Sequence, residues 1–240
     1  MASPKITLHH LNASRSNRIF WALEELGLEY DVRVYSRLPS LRAPPQLAEV
    51  SPFGKAPALT IDSSTISESA YIIHRLLALP SPNRGAVEAT PSDDSVCWAA
   101  FAEGSLMNLL QAELTVAATA KAWEKGMVGG LAEEGKRGVG EYGKWMSEAV
   151  FRPQTQVNLE QVEKYLASRP GHYFSGSTTP GIADFMMFFP AWSLIEGARK
   201  GSYGVGPGLR GWWEMVMERP AAQRAMERLR KEEEAQKSKI

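Results

Sequence analysis

The sequence predicts a small α/β layer followed by an all-α region. Strand and helix patterns alternate over the first 79 residues, a stretch rich in Pro and Gly follows at 80–92, and only helical periodicity is found beyond it. We therefore expect an α/β domain over residues 1–80, a linker over 81–92 and an all-α domain over 93–240.

The N-terminal patterns predict the element order βαβαββα. Apolar alternation marks the strands, and Gly27 is placed to end the first helix. The last two strands flank Asp62-Ser63-Ser64 and form a hairpin, so the sheet is mixed. The expected bounds are 5–11, 16–26, 30–35, 42–50, 58–61, 65–66 and 71–79.

Helical periodicity accounts for most of the remaining chain. The Gly-rich segment 126–143 is expected to be a loop, and its Walker-like run 130–137 lacks both a preceding strand and the Ser/Thr of a phosphate loop. The charged run 228–239 is expected to be a solvated helix end. Helices are predicted over 95–125, 141–168, 182–199, 208–218 and 221–237.

The composition excludes several classes of function. With 27 basic and 27 acidic residues the formal net charge is zero, so neither nucleic acid nor an anionic membrane is an expected partner. No apolar run is long enough to span a bilayer and the N-terminus has no signal-peptide core, so we expect a cytoplasmic protein. The four histidines have no companion cysteines at metal spacing, so no zinc site is expected. Cys97 is expected to be a buried small side chain.

Two features of residues 53–72 admit either a structural or a functional interpretation. Pro57 begins a strand either as an ordinary trans proline or as a cis proline that turns the Ala56 backbone outward from the sheet edge, where it can pair with another extended chain. Glu68 and Ser69 at the start of the next helix either cap it or bind the ammonium and carboxylate of an α-amino acid.

A family resemblance favours the functional interpretation. SPFGKAPAL (51–59), ESAYII (68–73), the front segment 8–30, RAPPQL (42–47) and WAAFAEGSL (98–106) together resemble the cytosolic glutathione S-transferases, in particular the fungal and bacterial Gtt-type subgroup. The resemblance implies a thioredoxin-like N-terminal domain that binds glutathione, a helical C-terminal domain and a homodimer. In place of the Ser/Thr helix cap of many relatives, this chain has Gly181 three residues before Asp184.

The resemblance also implies roles for individual residues. The backbone of Ala56, before the cis Pro57, would pair with the cysteinyl part of glutathione. Glu68 and Ser69 would hold the γ-glutamyl amine and carboxylate. Lys55 matches a position whose side chain contacts the tripeptide. Arg42 either contacts the glycyl carboxylate or is a solvated surface arginine.

A thiol-activating residue is expected in the loop 12–16. A free thiol is mostly protonated at neutral pH, so the enzyme must stabilise the thiolate, which a hydroxyl at a helix N-terminus can do by donating a hydrogen bond. We take Ser14 as the candidate, with Asn12 and Ser16 as alternatives. Arg15 either adds positive potential or is solvated.

The implied reaction is transfer of glutathione to an electrophilic, hydrophobic or aromatic substrate, by halide displacement, conjugate addition or aryl-ether cleavage. Three other functions stay open: a non-catalytic carrier or regulator, a glutathione-dependent peroxidase, and a thiol transferase, which the lack of a cysteine in the loop disfavours. The candidates for the acceptor pocket are Phe101, Ser105, Met107 and Asn108; the alternative is that this aromatic and Met face is plain core.

Overall fold

A mixed four-stranded sheet forms the N-terminal layer. The computed structural model describes residues 4–40, 42–127, 129–130 and 132–238. The strands lie in the order β2-β1-β3-β4, with β2 parallel to β1 and with β1 and β4 each antiparallel to β3. This confirms the predicted mixed sheet. The strands are β1 (Ile6–Leu11), β2 (Asp31–Tyr35), β3 (Ala58–Ile61) and β4 (Ser64–Ser67).

Two helices accompany the sheet, and one predicted helix is absent. Helix α1 (Asn17–Leu26) ends at Gly27, whose φ of 67° is left-handed, and α2 (Ser69–Leu77) follows β4. Residues 42–50 were expected to form a helix, but only the 3-10 turn Pro45–Leu47 forms there. The prolines at 44 and 45 cannot donate the N–H groups that a longer helix needs, and Leu47 is the only buried side chain of the turn.

Beyond residue 80, the described part of the chain contains helices and no strand, as predicted. Helix α3 (Asp93–Phe101) continues through a π-helical segment (Ala102–Met107) into α4 (Asn108–Glu124). A second π-helical segment (Met146–Phe151) joins the next two helices. The remaining helices are α5 (Glu133–Trp145), α6 (Arg152–Ala167), α7 (Ile182–Ile195), α8 (Pro207–Met217) and α9 (Pro220–Lys237).

The glycine-rich segment was wrongly predicted to be a loop over its whole length. Helix α5 begins at Glu133, where two acidic residues in the first turn complement the helix dipole. Its Gly143 faces α4 so closely that a Cβ there would lie 2.5 Å from the Cβ of Ala120. The glycine therefore allows two helices to approach, and residues 133–137 of the Walker-like run 130–137 lie inside α5.

Helix α9 packs along α1, and its charged end is exposed as predicted except where single side chains reach back to the N-terminal layer. Arg228 Nη2 donates to the carbonyl oxygen of Tyr30 at 2.7 Å, and Glu233 Oε1 lies 3.1 Å from Nε2 of the buried His10. The last helix is therefore tied to the first helix and to the first strand.

A buried carboxylate organises the start of α7. Asp184 is fully buried and accepts hydrogen bonds from the backbone N–H groups of Gly181 (2.9 Å), Phe174 (2.7 Å) and Ser175 (3.1 Å) and from Nε1 of Trp212 (2.9 Å). Burial raises the pKa of Asp184 to about 6, although the four donors favour its ionised form. This side chain thus links α7, the preceding loop and α8.

The Ser/Thr cap that Gly181 lacks is replaced by groups from elsewhere in the chain. A Cβ at Gly181 would lie 2.0 Å from Oε2 of Glu88, so the cap position is already filled. Glu88 accepts hydrogen bonds from the Ser92 N–H and the Ser95 hydroxyl, both at 2.7 Å. The Ala183 N–H at the start of α7 points to the Ser95 oxygen at 3.5 Å.

Aromatic side chains join the sheet layer to the helical region. Trp21 of α1 is fully buried, and its ring centroid lies 4.7 Å from that of Phe185 and 5.0 Å from that of Phe188, both on α7. The contacts form part of one continuous apolar core. None of the helices within the described ranges is long and apolar enough to cross a membrane.

Candidate active site

A cavity of about 650 Å³ lies between one edge of the sheet layer and the helices α3 and α7. Five of the predicted glutathione-binding residues line it together: Lys55, Ala56, Pro57, Glu68 and Ser69. The opposite wall is largely apolar. Further lining residues are Arg15, Ser51, Phe53, Ser67, Ala70, His74, Pro91, Val96, Ala99, Ala100, Glu103, Ile182 and Met186.

The polar side of the cavity is formed where β3 begins and β4 ends. The Ala56–Pro57 peptide bond is cis, as one interpretation of the sequence required. The buried Ser51 accepts a hydrogen bond from the Lys55 N–H at 3.3 Å, and its hydroxyl lies 3.3 Å from that of Ser67. These hydroxyls hold the turn that presents the cis peptide to the cavity.

Two groups for binding an amino-acid end meet at the start of α2. Glu68 adopts φ 72° and ψ 115°, a conformation that costs a non-glycine residue about 1–3 kcal/mol and is typical of functional sites. Its exposed carboxylate and the Ser69 hydroxyl have no hydrogen-bond partner among the described residues. An anion next to free helix N–H groups can bind both an ammonium and a carboxylate.

The loop 12–16 presents one side chain to the cavity, and that side chain is Arg15. The Ser14 hydroxyl lies 2.8 Å from that of Ser16 and also accepts from the Ser16 N–H at 3.3 Å. The Oδ1 atom of Asn12 accepts from the Arg37 N–H at 2.9 Å. Asn12 is therefore already used in holding the loop, whereas Ser14 and Ser16 form a hydroxyl pair at the start of α1.

A charged cluster closes one end of the cavity. Arg15 Nε donates to Oε1 and Oε2 of Glu103 at 2.9 Å and 3.2 Å, and Arg18, which is fully buried, pairs with the same carboxylate. Burial opposes ionisation of Glu103, but the two guanidinium groups hold the pKa of its carboxyl below its usual value. Burial lowers the pKa of Arg18 to about 10, so it stays charged at neutral pH.

Comparison with known proteins identifies the family of the chain. A family model for the N-terminal domain of glutathione S-transferases matches residues 14–79. Glutathione S-transferase 3 of Schizosaccharomyces pombe is 32% identical over 240 residues, which covers 93% of this chain and 88% of the relative. The chain belongs to the glutathione S-transferase family.

Solved structures of glutathione S-transferases and of a related enzyme share this fold. A glutathione S-transferase from Actinobacillus pleuropneumoniae superposes with a TM-score of 0.66 at 27% identity, covering 93% of this chain and 92% of that one. A beta-etherase from Sphingobium superposes with a TM-score of 0.67 at 20% identity, covering 93% and 99%. The protein is a glutathione S-transferase enzyme with a thioredoxin-like N-terminal domain and a helical C-terminal region.

In this transferase the predicted acceptor residues do not line the cavity. Phe101 packs on Trp98 with ring centroids 4.9 Å apart, and Met107 is fully buried. Ser105 and Asn108 are exposed. The face that lines the cavity instead carries Val96, Ala99 and Ala100 of α3 and Glu103 of the π-helical segment that continues it.

The sequence contains the spacing of the residues on this cavity-lining face, but it does not show how far along the helix the face continues. Positions 96, 99, 100 and 103 follow the i, i+3, i+4, i+7 pattern of one helix face, and Phe101 lies about 100° around the helix from position 100. The π-helical segment Ala102–Met107 then changes the periodicity, which no residue pattern indicated. The contributions of Ile182 and Met186 from α7 were missed because their apolar pattern resembles plain core.

Two further residues lie outside the cavity. Arg42 is exposed in the loop between β2 and β3, which agrees with the solvated alternative and not with a contact to glutathione in this cavity. Cys97 is exposed, not buried, because the buried face of α3 carries Ser95 and Ala99, between which Cys97 points outward.

Proposed function

We propose that this transferase ionises the thiol of glutathione and transfers the tripeptide to hydrophobic or aromatic electrophiles. The supporting observation is that one cavity combines unpaired polar groups around the cis Ala56–Pro57 bond with an apolar wall from α3 and α7. Polar groups on one side can hold the tripeptide, and the apolar wall can hold the acceptor next to its sulfur.

Five cavity residues are our candidates for holding glutathione. The Glu68 carboxylate would bind the γ-glutamyl ammonium, while Ser69 and the free N–H groups of α2 would bind the carboxylate. The Ala56 backbone, before Pro57, would pair with the cysteinyl part. Lys55 lines the cavity whereas Arg42 does not, so Lys55 is the better candidate for the glycyl carboxylate.

Ser14 is our candidate for stabilising the thiolate. Its oxygen accepts the Ser16 N–H, and when the Ser16 hydroxyl is the donor across the 2.8 Å hydroxyl pair, the hydroxyl hydrogen of Ser14 is available for a sulfur atom. Each unit by which the thiol pKa falls corresponds to about 1.4 kcal/mol of preferential stabilisation of the thiolate. The N-terminus of α1 adds a favourable dipole.

Calorimetry with reduced glutathione and turnover of chlorodinitrobenzene test this function. We expect Ser14→Ala to lower kcat about 10- to 100-fold, on the order of 1–3 kcal/mol in the barrier, with little change in glutathione affinity. Ser16→Ala is the matched control and should lower kcat less. Undiminished turnover by Ser14→Ala would remove Ser14 from this role, and absence of glutathione binding by the wild type would refute the function.

The remaining functions are outcomes of the same measurements. Turnover of a hydroperoxide faster than of any electrophile would indicate a glutathione-dependent peroxidase, and glutathione binding with no turnover would indicate a carrier. Aryl-ether cleavage is tested by including an aryl ether among the acceptors. Thiol transfer is disfavoured because the loop 12–16 contains no cysteine.

We also propose a cytoplasmic homodimer that takes part in detoxification, with the linker at 81–92. Two large apolar side chains of the N-terminal region are exposed, Phe53 by 62% and Tyr71 by 51%, and Tyr71 lies on α2 near His74 and Arg75. Burial of such side chains would favour a dimer. Sedimentation equilibrium tests this, and a monomer at micromolar concentration would refute it.

A further inference from the structure

The charged end of the cavity carries hydrogen-bond donors that the protein does not use. The Nε–H of Arg15 donates to the Glu103 carboxylate, while neither of its Nη groups has a hydrogen-bond partner among the described residues. Glu103 extends the cavity-lining face of Val96, Ala99 and Ala100, so these donors lie at the end of the apolar wall. They therefore lie next to the acceptor side of the cavity.

The Arg15 guanidinium is held in place and its charge is only partly neutralised. Glu103 is shared with the buried Arg18, so two cations face one carboxylate. The centres of both guanidinium groups lie over the ring of Phe189, at 5.9 Å and 5.8 Å from its centroid. An ion pair and an aromatic face thus fix the group, and Arg15, Arg18 and Glu103 together carry one net positive charge.

Binding of an acceptor against this wall would remove water from the free Arg15 donors. An acceptor with only apolar atoms would leave them unpaired, which is costly for a charged group. An acceptor with an oxygen atom in the right place would restore the hydrogen bonds, and a site of this kind discriminates strongly against an analogue that lacks the oxygen.

We propose, building on the transferase function above, that the preferred acceptors have an apolar body and a reactive carbon conjugated to an oxygen, as in an α,β-unsaturated ketone, and that Arg15 binds this oxygen. The thiolate sulfur forms a bond to the β-carbon, and the electron pair of the C=C bond moves toward the carbonyl, which becomes an enolate. Arg15 donates hydrogen bonds to the enolate oxygen. The α-carbon then takes a proton from water, which replaces the proton that the thiol had released.

Displacement of a halide does not require hydrogen bonds from Arg15. The sulfur bonds to the carbon as the carbon–chlorine bond breaks, and the charge departs on chloride, a weak hydrogen-bond acceptor, opposite the attacking sulfur. Benzylideneacetone and benzyl chloride share a phenyl body and differ in this respect, so they form a matched pair of acceptors.

The experiment compares kcat/KM for these two acceptors in wild type and in Arg15→Met, which keeps the length of the side chain and removes its donors. Loss of one buried donor to an oxyanion costs about 100-fold or more. Because the Arg15 side chain is 30% exposed, we expect the ratio of benzylideneacetone to benzyl chloride turnover to fall about tenfold.

Arg169→Met is the control variant. Arg169 is likewise partly exposed, pairs with Asp94 at 3.0 Å and lies over Tyr165 at 4.4 Å, but it does not line this cavity. The acceptor ratio of this variant should equal that of the wild type.

Other outcomes overturn the proposal. An equal loss of kcat/KM for both acceptors would indicate that Arg15 acts on the sulfur. Weakened glutathione binding would indicate that it contacts the tripeptide, and unchanged kcat/KM for both acceptors would mean that it has no role in the reaction. Arg15→Lys is assayed in the same way, so that misfolding of Arg15→Met leaves the question decidable. A wild type that binds no glutathione refutes the transferase function itself, which distinguishes the two failures.

Discussion

Gly181→Ser separates what the sequence predicts for the start of α7 from what the structure predicts. A serine there would complete the capping box with Asp184, which by sequence alone should stabilise the protein by up to about 0.5 kcal/mol. In the structure its Cβ would lie 2.0 Å from Oε2 of Glu88 and 3.0 Å from the Cβ of Ser175. The Glu88 carboxylate must therefore move.

The expected magnitude follows from what Glu88 loses. Its two hydrogen bonds, from Ser92 and Ser95, involve a charged acceptor and contribute at least about 1.5 kcal/mol each, or about 3 kcal/mol together. Subtraction of about 0.5 kcal/mol for the new cap leaves a destabilisation of about 2.5 kcal/mol. For a chain of this size, this corresponds to a fall in Tm of roughly 5–10 °C.

Thermal and urea unfolding of four proteins test the reasoning: wild type, Gly181→Ser, Glu88→Ala and the double variant. In the Glu88→Ala background the collision with Glu88 is gone and only the contact with Ser175 remains, so Gly181→Ser should there be clearly less destabilising than in the wild type. If Gly181→Ser stabilises the wild type, or has the same effect in both backgrounds, Glu88 does not occupy the cap position and the argument fails.

Two further predictions concern the helical region. Gly143→Ala in α5 should destabilise the protein by about 1–3 kcal/mol, because the new Cβ would meet Ala120. Gly138→Ala in the same helix has no atom within 4 Å of its new Cβ and should stabilise the protein by up to about 1 kcal/mol. Equal effects of the two substitutions in urea unfolding would contradict this. Burial opposes ionisation of Glu113, but hydrogen bonds from Ser147, Tyr203 and Arg152 hold the pKa of its carboxyl below 4.5. The ionised carboxylate therefore stabilises the fold above pH 4.5, and this stabilisation is lost as the pH falls through the folded pKa. The urea midpoint of Glu113→Gln should therefore fall less on acidification than that of the wild type, and parallel falls would refute this account.

Local patterns predicted the N-terminal half of the site because its residues are close in sequence. The hairpin around Asp62 and the polar start of α2 are each fixed by a few neighbouring residues, and the cis Ala56–Pro57 bond accompanies a recognisable motif. The structure brings these segments together at one cavity.

The features that sequence patterns missed depend on contacts between distant segments. The cavity-lining face of α3 is followed by a π-helical segment, and Gly140 and Gly143 of α5 have a packing role only because α4 lies against them. The cap of α7 comes from Glu88 and Ser95, far away in sequence. Prediction of each of these contacts requires knowing which helices are neighbours, and the periodicity of a sequence does not give this information.

The docking of α9 on α1 has a consequence for biosynthesis. The ribosome releases the strands and α1 early, yet the surface of α1 that receives α9 stays uncovered until residues 220–237 have emerged. Arg228 and Glu233 then reach Tyr30 and His10, almost 200 residues or more upstream. We therefore expect the glutathione-binding half of a nascent chain to complete its packing only at the end of translation, which leaves it dependent on chaperones until then.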